Sequence, residues 1–418
     1  LTDWWVAPLA KKPVSGTISI PGSKSLTARH LVLAALSEQE TVLTGALVCR
    51  DSELMAAALS QLGASIVRSG TTWTVRGGPL ESTGTIDCGL AGTVMRFVAP
   101  LAAAASGSCV LDGDSGARVR PMAGLVRALR QMGAKITSLG QPDQLPLRFE
   151  GGPLHGPVSV DSSATSQFLS ALLLASPAVG APFEVTLQGK APSRPHVQMT
   201  LSVLASHNVQ VEVRGNTFIC EGNAPSGGQV QIEPDLSNAG PFLAAAALTG
   251  GTVSIPHWPA KTTQVGAHWQ QILPQLGAEV SLRDGLFTVR GGKLVGIKRD
   301  MSAEGELVPT VFALALFAQG ESHLYGIGHL RGHETDRLSA LATEAKKLGA
   351  HVEEGPDYLR VIPTQLHPAD ICTYADHRMA TFAAIVGLRV RVRVENIATT
   401  AKTLPDFAQM WRSLDGLA

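Results

Sequence analysis

Charge and aromatic side chains are both scarce in this 418-residue chain: 16% of its residues are charged and 5% are aromatic. Globular chains carry roughly 25% charge. Disorder, which needs high charge and few apolar residues, is excluded by a hydrophobic content of 44%. Net charge is lacking too, with 34 Lys and Arg against 34 Asp and Glu. That balance argues against a protein that coats nucleic acid, where a basic stripe is expected, though not against a locally cationic pocket. No C-x-x-C pair occurs among Cys49, Cys88, Cys109, Cys220 and Cys372, so the cysteines read as reduced thiols and not as a disulfide framework. No apolar run reaches the ~18 residues of a membrane span. The richest stretch, Phe97 to Val110, is interrupted by Ser106-Gly107-Ser108. The opening Leu1-Thr2-Asp3-Trp4-Trp5 has no basic head before an apolar segment. A cytoplasmic protein with no membrane partner and no nucleic-acid partner is the expectation.

Glycine is abundant instead, with 43 residues, and part of it is periodic. The triplets Leu62-Gly63-Ala64, Met132-Gly133-Ala134, His207-Asn208-Val209, Leu276-Gly277-Ala278 and Leu348-Gly349-Ala350 recur about every 70 residues. Gly directly after a helix supplies a left-handed residue that satisfies the last carbonyls, and Asn208 is the usual substitute. Alternating stretches such as Glu279-Val280-Ser281-Leu282 follow the triplets and read as strands. Helices that are apolar nearly all round are expected over 25–36, 93–105, 166–175, 238–248, 307–318 and 379–388, and should be buried. Amphipathic partners, such as 52–62 and 335–348, should lie outside them. The unit thus reads helix–strand–helix–strand–strand, with the stretch after Asp376 an incomplete sixth copy. At this length it exceeds solenoid repeats, so packed α/β units, three to a domain, are expected, with a boundary near Glu233-Pro234-Asp235.

The buried helices open beside cationic or hydroxyl-rich loops. Pro21-Gly22-Ser23-Lys24-Ser25-Leu26-Thr27-Ala28-Arg29 puts two cations and several hydroxyls at a helix start, without the spacing of a Walker A loop. Such an end binds anions through free N–H groups and the helix dipole, or is an ordinary Ser cap with surface cations. Arg118 and Arg120, followed by Arg127 and Arg130, crowd a second loop. Ser162-Ser163-Ala164-Thr165-Ser166-Gln167 and Ser193-Arg194 continue the theme. Each alone reads as capping or solvated charge; together they suggest ligands bearing phosphate and carboxylate groups. His329 and His333 lie four apart, but Gly332 intervenes and no third ligand or H-E-x-x-H pattern accompanies them, so no metal site is expected. Glu334 and Arg337 stand one turn apart at a helix start, and Asp376 precedes His377-Arg378 at another, as an Asp–Arg pair or a cap. Spacing by itself favours a solvated Lys402.

The runs Pro21-Gly22-Ser23-Lys24-Ser25, Ala91-Gly92-Thr93-Val94-Met95-Arg96, Arg120-Pro121, Ser166-Gln167-Phe168-Leu169, Glu334-Thr335-Asp336-Arg337-Leu338, Asp376-His377-Arg378-Met379-Ala380 and Ala401-Lys402-Thr403 resemble the 3-phosphoshikimate 1-carboxyvinyltransferase family, the EPSP synthases. They follow family order and cover the chain from Pro21 to about Trp411. The resemblance implies a two-domain inside-out α/β barrel of six repeats. Residues 21–233 would form an inserted domain, residues 1–20 plus 234–418 a discontinuous one, and the active site would occupy the cleft between them. The implied activity moves the carboxyvinyl (enolpyruvyl) group of phosphoenolpyruvate to the 5-hydroxyl of shikimate 3-phosphate. Phosphate leaves after a tetrahedral intermediate, in the pathway to chorismate and the aromatic amino acids. No cofactor and no metal are implied, the partners are these two small molecules, and a monomer is expected.

Carried over by resemblance, Lys24, Gly92, Arg120, Gln167, Arg337, Arg378 and Lys402 would hold phosphoenolpyruvate. Lys24, Ser25, Arg29, Thr165, Ser166, Gln167, Ser193, Glu306, His329 and His333 would hold shikimate 3-phosphate. Glu306 takes the place of the family's usual Asp base, with Glu304 close by as an alternative; Glu334 and Lys24 are further acid/base candidates. His333 stands where Lys is usual, His329 where Asn is usual, Leu90 where Asn is usual and Thr165 where Ser is usual. Asp51 matches a family carboxylate to which no role is assigned. Gly92 implies sensitivity to glyphosate, which Ala would crowd. A UDP-N-acetylglucosamine enolpyruvyl transferase is disfavoured by Ser25 and Ser115, where that family carries Asn and Cys. A non-catalytic phospho-ligand-binding protein is disfavoured by the joint presence of Lys24, Glu306, Glu334, Arg337, Arg378 and Lys402. An RNA-end-processing enzyme finds no support in the balanced charge.

Overall fold

The triplet glycines lie where only a residue tolerant of positive φ fits. The computed structural model, which describes residues 3–189 and 194–417, gives Gly63, Gly133, Gly277 and Gly349 φ values of +104°, +96°, +92° and +87°, with Asn208 at +58°. A Cβ on Gly63 would lie 2.1 Å from the Pro79 carbonyl oxygen, and one on Gly277 2.2 Å from that of Lys293. Each triplet therefore ends a helix and turns the chain closely past the next segment.

The six apolar helices are Lys24–Ala35, Gly92–Ala104, Gln167–Leu174, Leu236–Thr249, Val308–Ala315 and His377–Gly387, called here the first to sixth core helices. Every residue of the fourth and sixth is buried. Ser23, Asp235 and Asp376 cap the first, fourth and sixth by accepting a backbone N–H, each cap contributing about 1 kcal/mol. The amphipathic helix expected from Thr335 starts instead at Arg337, because the Asp336 side chain accepts from Ser339 N and fixes the start there.

Sequence periodicity misses one strand per repeat. In the third copy Val158–Asp161 runs parallel to Phe183–Gln188 on either side of the third core helix. Phe183–Gln188 then pairs antiparallel with Thr217–Cys220, and that strand with Val211–Arg214. A leading strand thus precedes each core helix. Several, such as Thr85–Asp87, Lys298–Asp300 and Ala369–Ile371, span only three residues, too few to display alternation.

The chain forms two compact units, Leu1–Pro21 with Glu233–Ala418, and Gly22–Ile232. In the inserted unit the first copy takes its leading strand from the end of the segment: Gly228–Gln231 lies parallel to Thr41–Thr44. In the discontinuous unit Ala10–Thr17 runs parallel to Thr252–Ile255 and antiparallel to Asp415–Leu417. Trp4–Val6 pairs antiparallel with Val392–Glu395, completing the shortened sixth copy. Each unit has its own core, three helices inside and three sheets around them. Among the described residues no helix is long and apolar enough to cross a membrane.

Candidate active site

In the discontinuous unit the starts of three core helices converge on Glu306. This residue sits in the 3-10 turn Gly305–Leu307 that leads into the fifth core helix. Ser237, in the first turn of the fourth, donates its hydroxyl to Glu306 Oε2 at 2.9 Å. Arg378, second residue of the sixth, brings Nη2 to 3.5 Å from the same oxygen. Glu304 is placed quite differently: Arg299 donates to its two oxygens at 2.7 and 2.5 Å, and His268 Nδ1 lies 2.6 Å away. Burial works against its charge, but these partners hold its pKa below the ordinary carboxylate range. Of the two, Glu306 alone stands among the other candidate residues.

A second network surrounds Arg337, which is 2% exposed. Its Nε and Nη2 donate to Asp376 at 2.7 and 3.2 Å, and Nη2 also donates to Glu334 Oε2 at 2.8 Å. Glu334 Oε1 accepts from Lys402 Nζ at 2.9 Å. Lys402 is thus a largely buried ion-pair partner and not the solvated cation its spacing suggests. Burial opposes the Arg337 charge, yet the Asp376 and Glu334 carboxylates offset this and raise its pKa. Arg337 Nη1 donates to His333 Nδ1 at 2.9 Å. Guanidinium cannot accept, so Nδ1 is bare and the ring proton resides on Nε2. Burial first, and the Arg337 charge second, hold the His333 pKa well below the ordinary histidine range. The ring therefore offers a neutral N–H donor at Nε2. The His329 ring centroid lies 6.0 Å from that of His333, and the ring packs on Gly305, where a Cβ would come within 2.5 Å of His329 Nε2.

The inserted unit carries the remaining residues. Lys24, first in its helix, pairs with the buried Asp51 at 3.1 Å. Arg29 is buried across the ring of Phe97; it donates to Thr200 Oγ1 at 2.8 Å, the Ser25 carbonyl at 3.0 Å and the His196 carbonyl at 3.4 Å. It therefore braces the backbone of Ser25. The Arg120 guanidinium lies over the start of the second core helix. It donates to the Leu90 carbonyl at 3.1 Å, and a Cβ on Gly92 would stand 3.0 Å from its Nη2. Gln167 opens the third core helix and accepts from Arg96 Nη1 at 2.7 Å. Thr165 Oγ1 accepts from Gln167 N at 3.3 Å, whereas Ser166 makes no cap bond with its side chain. Arg118 and Arg130, cationic neighbours of Arg120 in sequence, are paired with Asp112 and Asp143 at 2.7 and 2.6 Å. The cation cluster read from sequence therefore narrows. Ser193 lies outside the described residues.

Ser237 escaped the sequence reading, Arg96 entered it only within a motif run, Asp51 only without a role, and Asp376 only as an Asp–Arg pair or a cap. Arg96 links Gln167 to the Pro121 carbonyl, donating at 2.7 and 3.1 Å. A buried cation in an otherwise apolar helix was the available signal, since such charges are almost never buried unless paired.

Two units, each with three inward helices bearing polar starts, define an inside-out α/β architecture. The same architecture occurs in a solved EPSP synthase from Acinetobacter baumannii, matched at a TM-score of 0.83 and 25% identity over 97% of each chain. The chain belongs to the EPSP synthase (3-phosphoshikimate 1-carboxyvinyltransferase) family, whose profile matches residues 9–411. A 3-phosphoshikimate 1-carboxyvinyltransferase of Kocuria rhizophila is 50% identical over 432 residues, covering 99% of this chain and 97% of the relative. Another, from Bifidobacterium longum, is 44% identical over 442 residues, covering 99% and 98%.

Proposed function

We propose that the chain transfers the carboxyvinyl group of phosphoenolpyruvate to the 5-hydroxyl of shikimate 3-phosphate and releases phosphate. The observation that carries this reading is the set around Glu306 and Glu334: two carboxylates interleaved with Arg337, Arg378 and Lys402. Both substrates are polyanions, so they require several fixed cations and N–H donors at once. Arg337, Arg378 and Lys402, together with Lys24, Gly92, Arg120 and Gln167, would neutralise phosphoenolpyruvate. Lys24, Ser25, Thr165, Ser166, Gln167, Ser193 and the His333 Nε2–H would receive shikimate 3-phosphate, with Arg29 holding the Ser25 backbone and His329 beside Gly305.

In the addition step Glu306 takes the proton of the 5-hydroxyl as its oxygen attacks C2 of phosphoenolpyruvate. The methylene carbon takes a proton from Glu334 or Lys24, giving a methyl ketal. Elimination removes a proton from that methyl, restores the double bond and expels phosphate. The steps need an acid, a base and charge neutralisation, which side chains of these types supply. We further propose that the protein acts as a cytoplasmic monomer, which size-exclusion chromatography would check.

Phosphate release from phosphoenolpyruvate, followed with shikimate 3-phosphate or UDP-N-acetylglucosamine as acceptor, tests the assignment. Release with shikimate 3-phosphate alone is expected. Release only with the nucleotide sugar would overturn it, and release with neither would point to a binding protein.

A further inference from the structure

The turn ahead of Asp376 is built from residues that disfavour its conformation. Asp376 N donates to the Thr373 carbonyl at 2.8 Å, and the two residues between, Tyr374 and Ala375, have φ of +53° and +54°. Positive φ at both central positions is the mirror-image turn for which Asn-Gly and Gly-Gly are favoured. Tyr and Ala each bring a Cβ that crowds the following carbonyl there. Such a turn persists only if its surroundings hold it.

The holding group is Glu344, wholly buried on the helix Arg337–Lys347. Tyr374 OH donates to its Oε1 at 2.6 Å and Cys372 N to its Oε2 at 3.2 Å, while Lys347 Nζ bonds both oxygens at 2.8 and 2.9 Å. Thr373 N donates to Glu395 Oε2 at 3.1 Å. Two helical turns separate Glu344 from Arg337, so both project from one helix face. One helix thus grips the turn at both ends, through Tyr374 and Cys372 at one and through Asp376 at the other. Asp376 in turn orients the Arg337 guanidinium and accepts from Arg378 N at 2.9 Å.

We propose that Glu344 and the Tyr374 hydroxyl form a lock that keeps this turn left-handed and thereby positions Arg337 and Arg378. Both are positioning residues, acting through Asp376. The catalytic consequence rests on the reading of Arg337 and Arg378 as phosphoenolpyruvate ligands; the conformational one does not. If Glu344 were only a buried ion-pair partner of Lys347, its loss would lower stability without a selective effect on that substrate.

The test uses the full-length protein with Tyr374→Phe, Glu344→Gln, and Tyr374→Phe combined with Ala375→Gly. Hydrogen exchange at the Asp376 and Arg378 amides reads the turn, and steady-state phosphate release reads the site. Tyr374→Phe is expected to speed exchange at these amides about tenfold. It should also raise KM for phosphoenolpyruvate about tenfold, with kcat held within about threefold. Glu344→Gln should act in the same direction. Adding Ala375→Gly, which accepts positive φ freely, should return exchange and KM towards the parent values. Unchanged exchange, an unchanged KM despite a lower urea midpoint, or failure of glycine to rescue would each overturn the lock. If the parent protein released no phosphate, the assigned function would fall, and the lock would be judged by the exchange criteria alone.

Discussion

Glu306 and Glu304 are nearly adjacent in sequence, yet Glu304 is closed off by Arg299 while Glu306 accepts a hydroxyl bond from Ser237 beside the flank of Arg378. A base needs an oxygen that substrate can reach, which Glu304 does not offer. Glu306→Gln should therefore lower kcat about 10²- to 10⁴-fold while KM for both substrates changes little. A variant with near-parent turnover in the phosphate-release assay would remove Glu306 from the chemistry. Gly92 makes a second residue-scale case, since a methyl there meets the Arg120 guanidinium at 3.0–3.2 Å. Displacing that flexible end should raise KM for phosphoenolpyruvate about threefold to tenfold in Gly92→Ala, and glyphosate inhibition should weaken alongside it; parent-like inhibition curves would refute the account. Motifs in the sequence pointed to Lys24, Glu334 and Arg337 because each sits in a run of distinctive residue types. Their partners Asp51, Lys402 and Asp376 lie on other elements, and which carboxylate meets which cation is decided by packing.

Elements were legible where their signal is local. The triplet glycines marked helix ends because a left-handed residue is needed wherever the chain reverses that sharply. Leading strands of three residues were not, because their pairing comes from neighbours distant in sequence. The polar bond between the first core helix and the turn that follows the helix Arg194–Ser206 was equally hidden. His30 Nδ1 and His207 Nε2 are 2.9 Å apart, and His207 Nδ1 is 2.9 Å from the Ser226 carbonyl. That carbonyl only accepts, so His207 Nδ1 carries its proton and Nε2 receives the one from His30. Burial, then the neighbouring His207, lower the His30 pKa to about 3, and burial lowers that of His207. Unfolded histidines titrate near 6.5, so between that value and about 3 the unfolded chain binds more protons than the folded one. Stability should accordingly fall as pH drops below about 6.5, by up to about 1.4 kcal/mol per pH unit for each such histidine. Urea midpoints at a series of pH values should decline more steeply for the parent than for His30→Gln; parallel curves would show that the pair is not responsible.

At the scale of the whole molecule, the inserted unit contains every strand its three sheets use, including Gly228–Gln231, whereas the discontinuous unit depends on Ala10–Thr17 between two later strands. A fragment of residues 22–232 is thus expected to fold alone, with dispersed amide resonances and a cooperative thermal transition. Residues 233–418 without the N-terminal strands should not, since an interior strand would be lost and both flanking edges left unpaired. A cooperatively folded C-terminal fragment would contradict this. The sequence by itself determined the repeat, the buried helices and the family, because periodicity, helix termini and motif order are properties of neighbouring residues. Tertiary structure alone decided that Glu306 stands beside Arg378 while Glu304 is closed off by Arg299, that His333 is a neutral donor, and that Lys402 is paired. Those outcomes depend on desolvation and on distances of about 3 Å between residues far apart in the chain, which no local pattern encodes.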